Sequence, residues 1–114
     1  MKTKFEIIRN KALDSNDPES LYDLAQAYDI INQFGNPNPF YNNFRRLYWY
    51  LKAGEYGYAE AYNNLAYIIE HELLVKQRLK RALFYYTKAA ELGSELGESN
   101  MKILRNQLQN HIIK

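Results

Sequence analysis

The fold is decided by residues 83–93, Leu-Phe-Tyr-Tyr-Thr-Lys-Ala-Ala-Glu-Leu-Gly, because residues 48–57 repeat their pattern as Tyr-Trp-Tyr-Leu-Lys-Ala-Gly-Glu-Tyr-Gly. The matching Lys, Ala, Glu and Gly positions lie 36 residues apart, and a period of this length is typical of helical repeat arrays. A spacing of 41 adds a degenerate first copy, which places Lys11 and Ala12 on Lys52 and Ala53. The pattern therefore predicts an all-α fold, a short α-solenoid of about three helix-turn-helix hairpins (an α-α superhelix).

Apolar spacing and capping residues predict six helices, at about residues 4–13, 19–32, 44–56, 59–74, 76–93 and 95–112. Asp17 suits a helix N-cap and Pro18 the first helical position. Asn16 falls where the later copies carry Gly, and Asn tolerates the left-handed conformation found at helix ends.

The predicted organisation is a single helical-repeat domain of residues 1–114, with hairpins at about 2–32, 43–74 and 78–113. The loop 33–43 holds two prolines and a glycine, which disfavour a helix. Its aromatic residues Phe34, Phe40 and Tyr41 either form a contact site or only cover the edge of the solenoid.

The composition argues against several classes of protein. Fifteen basic and thirteen acidic residues leave a net charge of +2, well below that expected of a dedicated nucleic-acid-binding protein. The lack of cysteine excludes disulfides and thiolate chemistry and is compatible with a reducing compartment. The first residues lack the apolar run of a signal peptide, and no stretch is long and apolar enough to span a bilayer. We expect a soluble, cytoplasmic protein.

No pattern in the chain indicates catalysis. His71 and His111 lie forty positions apart and outside any metal-ligand spacing. There is no phosphate-binding glycine loop and no nucleophile elbow. We therefore expect no enzyme activity, no metal and no cofactor.

One pattern recurs on the first helix of every hairpin, as basic, bulky, bulky, basic at i, i+3, i+4 and i+7, which is one helical face. Its members are Lys4, Ile7, Ile8 and Lys11, then Arg45, Tyr48, Trp49 and Lys52, then Arg81, Phe84, Tyr85 and Lys88. The first helix of a hairpin commonly lines the concave side of such solenoids, so the pattern predicts a groove with an aromatic floor and basic rims. In the alternative interpretation the bulky residues are core and the charges only flank it.

Both clear copies resemble the Sel-one-like repeat, a relative of the tetratricopeptide repeat. The matching residues are Ala82, Tyr85, Tyr86, Lys88, Ala89, Ala90, Gly93 and Met101 in one copy, and Trp49, Tyr50, Lys52, Ala53, Gly54, Gly57, Ala59, Ala61 and Leu65 in the other. The chain departs from the pattern at Arg46, which replaces an Ala, and at 70–76, where a Gly-rich turn is usual. The resemblance implies an α-solenoid that scaffolds or inhibits other proteins.

Three hypotheses for the function follow. The leading one is a protein–protein interaction module, whose basic and aromatic concave face takes an acidic surface or peptide of a partner protein. The size and composition also fit a bacterial immunity protein or antitoxin, which neutralises a cognate toxin by direct binding. RNA binding through the aromatic and basic side chains is the lesser alternative.

Overall fold

The computed structural model describes residues 1–30 and 37–113, and within them it contains six α-helices and no β-strand. The helices are α1 (Lys4–Ser15), α2 (Pro18–Ala27), α3 (Asn43–Glu55), α4 (Ala59–Glu72), α5 (Arg78–Glu91) and α6 (Glu95–Ile113). The predicted all-α class and number of helices are confirmed. Apart from the end of α2, the predicted bounds differ by no more than about two residues, the usual uncertainty of helix ends.

The chain divides into two compact units, an N-terminal unit Met1–Tyr58 and a C-terminal unit Ala59–Lys114. The N-terminal unit holds α1, α2 and α3, in which α2 packs against both of its neighbours. In the C-terminal unit α5 packs against α4 and α6, and α4 also touches α6. The boundary between the units falls inside the hairpin predicted for 43–74, and the single repeat domain of three hairpins stays a prediction.

The C-terminal ends of α3 and α5, the helices of the two clear copies, have the same structure. Gly57 follows α3 with φ of +105°, and the N–H of Tyr58 donates to the carbonyl of Ala53 at 2.9 Å. The equivalent residues after α5 are Gly93 with φ of +99° and Ser94, whose N–H donates to Ala89 at 3.0 Å. This is the Schellman turn, which needs a residue without a Cβ at the left-handed position.

The degenerate first copy ends its helix in a related way. Asn16 has φ of 52°, and its N–H donates to the carbonyl of Ala12 at 3.0 Å. Asp17 then caps α2 by accepting the N–H of Ser20, and Pro18 is the first residue of the helix. The predicted roles of Asn16, Asp17 and Pro18 are confirmed.

The predicted end of the second helix is wrong. The helix ends at Ala27 rather than near Asn32, because the Tyr28 N–H turns back to the carbonyl three residues earlier. Asp29 then accepts the N–H of Ile30 at 2.7 Å with its own carboxylate. The predicted continuation beyond Ile30 lies outside the described residues.

A buried arginine joins the end of α2 to α3. The side chain of Arg46 is 2% exposed, and its guanidinium donates to Asp29 at 2.7 Å and to Asn43 at 2.9 and 3.1 Å. Tyr50 donates its hydroxyl to the other Asp29 oxygen at 2.5 Å, and the Tyr41 ring lies 5.2 Å from the guanidinium. Arg46, which departs from the repeat pattern, therefore supplies the positive charge that the partly buried Asp29 carboxylate requires.

The C-terminal unit contains a counterpart of this bond. Tyr86 lies 36 residues after Tyr50, is buried, and donates its hydroxyl to Glu70 at 2.8 Å. Burial and the bond to Glu70 raise the pKa of Tyr86 above its ordinary value, so the hydroxyl keeps its proton. Arg78 donates to the Glu70 carbonyl, whereas the residue equivalent to Arg46 is Ala82.

The core of each unit consists mainly of apolar side chains, and alanines occupy it near the helix ends. In α4 the apolar residues Ala61, Leu65, Ile68 and Ile69 are buried. In α6 Leu104 is buried and Met101 is half-buried, whereas Ile103 is 57% exposed. The outer face of α6 therefore carries apolar as well as polar side chains.

Gly97 of α6 lies against Ala89 of α5, and replacing Gly97 by Ala tests this contact. A Cβ at Gly97 would lie 2.7 Å from that of Ala89, whose backbone-bound methyl has no room to move. We expect Gly97→Ala to lower the free energy of unfolding by about 1–2 kcal/mol, because overpacking outweighs the gain of about 1 kcal/mol in helix propensity. Thermal or urea unfolding measures the change. Ser99→Ala, at an exposed position of the same helix, is the control, and equal stability of the two variants would contradict the close packing.

Removing the Arg46 guanidinium tests the network at the end of α2. Arg46→Met keeps the apolar stem but leaves Asp29 without its cation. We expect a loss of about 2–3 kcal/mol, somewhat less than for a fully buried pair, because Asp29 is a quarter exposed. Adding Asp29→Asn should cost little more, whereas two independent residues would give additive losses in urea unfolding. Lys80→Met, at an exposed position of α5, should change stability by less than about 0.5 kcal/mol.

Candidate functional site

The bulky residues of the repeated pattern are not equivalent to each other. The first one of each pair is exposed to the same degree, namely Ile7 (56%), Tyr48 (51%) and Phe84 (53%). The second ones, Ile8, Trp49 and Tyr85, are half-buried. Each helix thus uses one side chain mainly for packing and presents the other to solvent.

In the N-terminal unit the pattern forms a compact group on α3. The Tyr48 and Trp49 rings meet edge to face, with centroids 4.8 Å apart and planes at 85°. The ammonium of Lys52 lies 5.6 Å from the Tyr48 centroid, within the range of a cation–π contact. This arrangement leaves a charged nitrogen beside an exposed aromatic surface.

In the C-terminal unit α5 carries the same group 36 residues later. Phe84 and Tyr85 meet edge to face at 5.1 Å and 81°, and the Lys88 ammonium lies 5.1 Å from the Phe84 centroid. Tyr85 also stacks on Tyr62 of α4 at 5.8 Å. Arg81, one turn before Phe84, is exposed. The recurrence of this geometry in both units follows from the repeated sequence, whereas its use as a contact site stays a prediction.

The N-terminal unit contains an open cleft of about 540 Å³, within the range of about 300–1,000 Å³ typical of ligand clefts. Its lining residues come from all three helices of this unit. They are Arg9 and Leu13 of α1, Leu24 of α2, Tyr28 just after the end of α2, and Phe44, Arg45, Tyr48 and Trp49 of α3. The predicted residues Arg45, Tyr48 and Trp49 therefore lie together in one concave site.

Arg45 stands at the edge of this cleft. Its backbone N–H is bound by the N-cap Asn42, which orients the first turn of α3. Its guanidinium donates to the Tyr28 hydroxyl at 3.3 Å and lies 5.6 Å from that ring. Of the described residues that line the cleft, two are arginines and none is acidic. The cleft is therefore apolar inside and positively charged at its edge.

Sequence reasoning missed five of the eight lining residues, namely the buried Leu24 and Tyr28 and the exposed Arg9, Leu13 and Phe44. Leu13 is 50% exposed. Phe44 is 84% exposed, and it lies one position outside the repeated pattern. Arg9 also falls outside the pattern, which selected Lys4 and Lys11 instead. No periodicity in the sequence distinguishes the three exposed residues.

The second candidate segment packs partly against α1. Phe40 stacks on Phe5 with centroids 4.8 Å apart and remains 53% exposed. Asn38 fixes the segment by donating its side-chain amide to the carbonyls of Ala27 and Asp29 at 2.7 and 2.8 Å.

Tyr41 lies over the buried Arg46 guanidinium and is still 45% exposed. Residues 33–36 of the predicted loop, Phe34 included, lie outside the described part of the chain. Phe40 and Tyr41 are thus ordered surface residues that do not line the cleft.

His71 belongs to no group of described side chains that could hold a metal. The His71 Nε2 lies 3.2 Å from the Glu70 carboxylate, and its ring packs on Tyr67. Among the residues that the structure describes, no three His, Cys, Asp or Glu side chains could share a metal ion. The side chain of His111 lies outside the described part. In the described residues no helix has the length and apolarity to cross a membrane.

The chain is similar to chitin synthase regulatory factor 3 of Schizosaccharomyces pombe, with 33% identity over 96 aligned residues. The match covers 80% of this chain but only 10% of that protein. The chain therefore spans about a tenth of the length of this relative. No protein-family model matches the chain, and no solved structure matches it significantly.

Proposed function

We propose that this chain is a non-enzymatic protein-binding module that takes an acidic, partly apolar segment of a partner protein in the cleft of its N-terminal unit. The observation that carries this proposal is the cleft itself, which combines exposed aromatic surface with two arginines. Trp, Tyr and Arg are the side chains that most often dominate protein interfaces. Carboxylates of the partner would meet Arg9 and Arg45, while apolar side chains would cover Leu13, Phe44 and Tyr48.

The proposal includes an α-solenoid of the Sel-like repeat type, acting in the cytoplasm. The Schellman turns at Gly57 and Gly93 and the related turn at Asn16 support a repeat, because they recur at the sequence spacing. The ring pairs on α3 and α5 support it in the same way. The similar yeast protein is named as a regulatory factor, and a role in regulating a partner by binding it is compatible with this cleft. An immunity protein and an RNA-binding repeat remain the alternatives, and the capture experiment distinguishes them.

Capture of partner proteins by variants of the cleft tests the proposal. Wild type, Arg9→Glu with Arg45→Glu, and Lys80→Glu with Arg105→Glu are each immobilised and exposed to nuclease-treated native cytosol. The control pair changes the net charge equally at exposed positions outside the cleft. Glu at position 45 is compatible with folding, because it lies in the first turn of α3 behind the N-cap Asn42. We expect wild type and the control to retain the same protein and the cleft variant to lose at least about tenfold.

Lys52→Glu with Lys88→Glu separates the ring pairs from the cleft in the same assay. Neither lysine lines the cleft, so retention should fall less than for the arginine pair and should weaken further with salt. Equal retention by wild type and the arginine variant would contradict the proposal. Proteins retained from untreated cytosol but lost after nuclease treatment would instead favour RNA binding. Retention of a nuclease or another toxin would identify the immunity alternative.

A further inference from the structure

The turn between α5 and α6 exposes two leucines among glutamates. Residues 91–98 read Glu-Leu-Gly-Ser-Glu-Leu-Gly-Glu, without a basic residue. Leu92 is 45% and Leu96 56% exposed, and Glu91 and Glu95 beside them are exposed as well. We call these four residues the acidic corner. The acidic corner therefore offers apolar side chains with negative charges beside them.

The acidic corner has a fixed shape. Gly93 takes the left-handed conformation, and Ser94 closes the turn by donating its N–H to Ala89. The Ser94 hydroxyl in turn accepts the N–H of Gly97 at 2.9 Å and is buried. A surface held in this way loses little conformational entropy when it binds.

The acidic corner and the cleft have complementary chemistry. The cleft offers exposed Leu13 and Phe44 with arginines at its edge, and the corner offers leucines with glutamates. We infer that the acidic corner of one copy binds the cleft of a second copy, so that the chain associates head to tail. This inference rests on the proposed function, because it assigns the same cleft an occupant of the same chemistry. Self-association would then compete with the partner protein.

The kind of interface follows from the two surfaces. Because the corner and the cleft differ, the contact is heterologous, and every bound pair keeps one unused cleft and one unused corner. Further copies can therefore add to the pair. The net charge of +2 gives little repulsion between copies.

Sedimentation of two variants, alone and mixed, tests the inference. The cleft variant is Arg9→Glu with Arg45→Glu, and the corner variant is Glu91→Lys with Glu95→Lys. We expect wild type to associate with rising concentration and to dissociate in high salt, because charge pairs hold the contact. Each variant alone should associate at least about tenfold more weakly. An equal mixture should associate again, because the intact corner of one variant fits the intact cleft of the other and the exchanged corner and cleft also carry opposite charges.

Combining both pairs of substitutions in one chain should restore association, because the charges of both surfaces are then exchanged. Circular dichroism and thermal unfolding establish that each variant is folded. Wild type that stays monomeric at all concentrations, or a mixture of folded variants that does not pair, would overturn the inference.

The outcome is separable from that of the proposed function. The corner variant keeps the cleft intact, so it should still retain the partner protein from nuclease-treated cytosol, and better than wild type if the copies compete. Monomeric wild type that retains the partner would remove the self-association alone. Association of wild type without any retained protein would instead remove the partner and keep the second copy as the occupant of the cleft.

Discussion

The fold depends on a small, buried residue near the end of the first helix of each repeat. Ala12, Ala53 and Ala89 occupy equivalent places and are each 0% exposed. At Ala89 the contact leaves no room for a side chain larger than hydrogen at Gly97. Four residues after each of these alanines the chain turns at a residue with positive φ, namely Asn16, Gly57 and Gly93. On the same helices the bulky residues Tyr48 and Phe84 are exposed to solvent.

A second constraint is the bond between a buried tyrosine and a carboxylate from the preceding helix region. Tyr50 with Asp29 and Tyr86 with Glu70 satisfy groups that would otherwise be buried without a partner. In the N-terminal unit Arg46 adds a charge to this bond. Asp29 lies just beyond the end of α2. Phe40 stacks on Phe5 of α1.

The predictions from sequence were correct where the type of a residue alone determines the local backbone conformation. Asn16, Asp17, Gly57 and Gly93 specify helix ends without reference to the rest of the chain, and they lie where expected. The predicted end of α2 was wrong because the bond from the Tyr28 N–H back to Ala25, and the contact of Asp29 with Arg46 17 residues away, leave no periodic signal in the sequence. Helical periodicity grouped Arg45, Tyr48 and Trp49 on one face but could not find Arg9, Leu13 and Phe44. Those residues line the cleft because three helices pack together, and the spacing of residues within one helix does not encode this packing.

Photo-cross-linking from the cleft tests most directly whether it is where a partner binds. A photoreactive phenylalanine derivative replaces Tyr48 in one protein and Tyr67 of α4, equally exposed at 52%, in another. After irradiation in native cytosol, mass spectrometry identifies the attached segment. The proposed binding mode predicts that position 48 attaches to a protein segment rich in acidic and apolar residues and that position 67 does not. Equal attachment at both positions, or attachment of position 48 to RNA or to a basic segment, would contradict it.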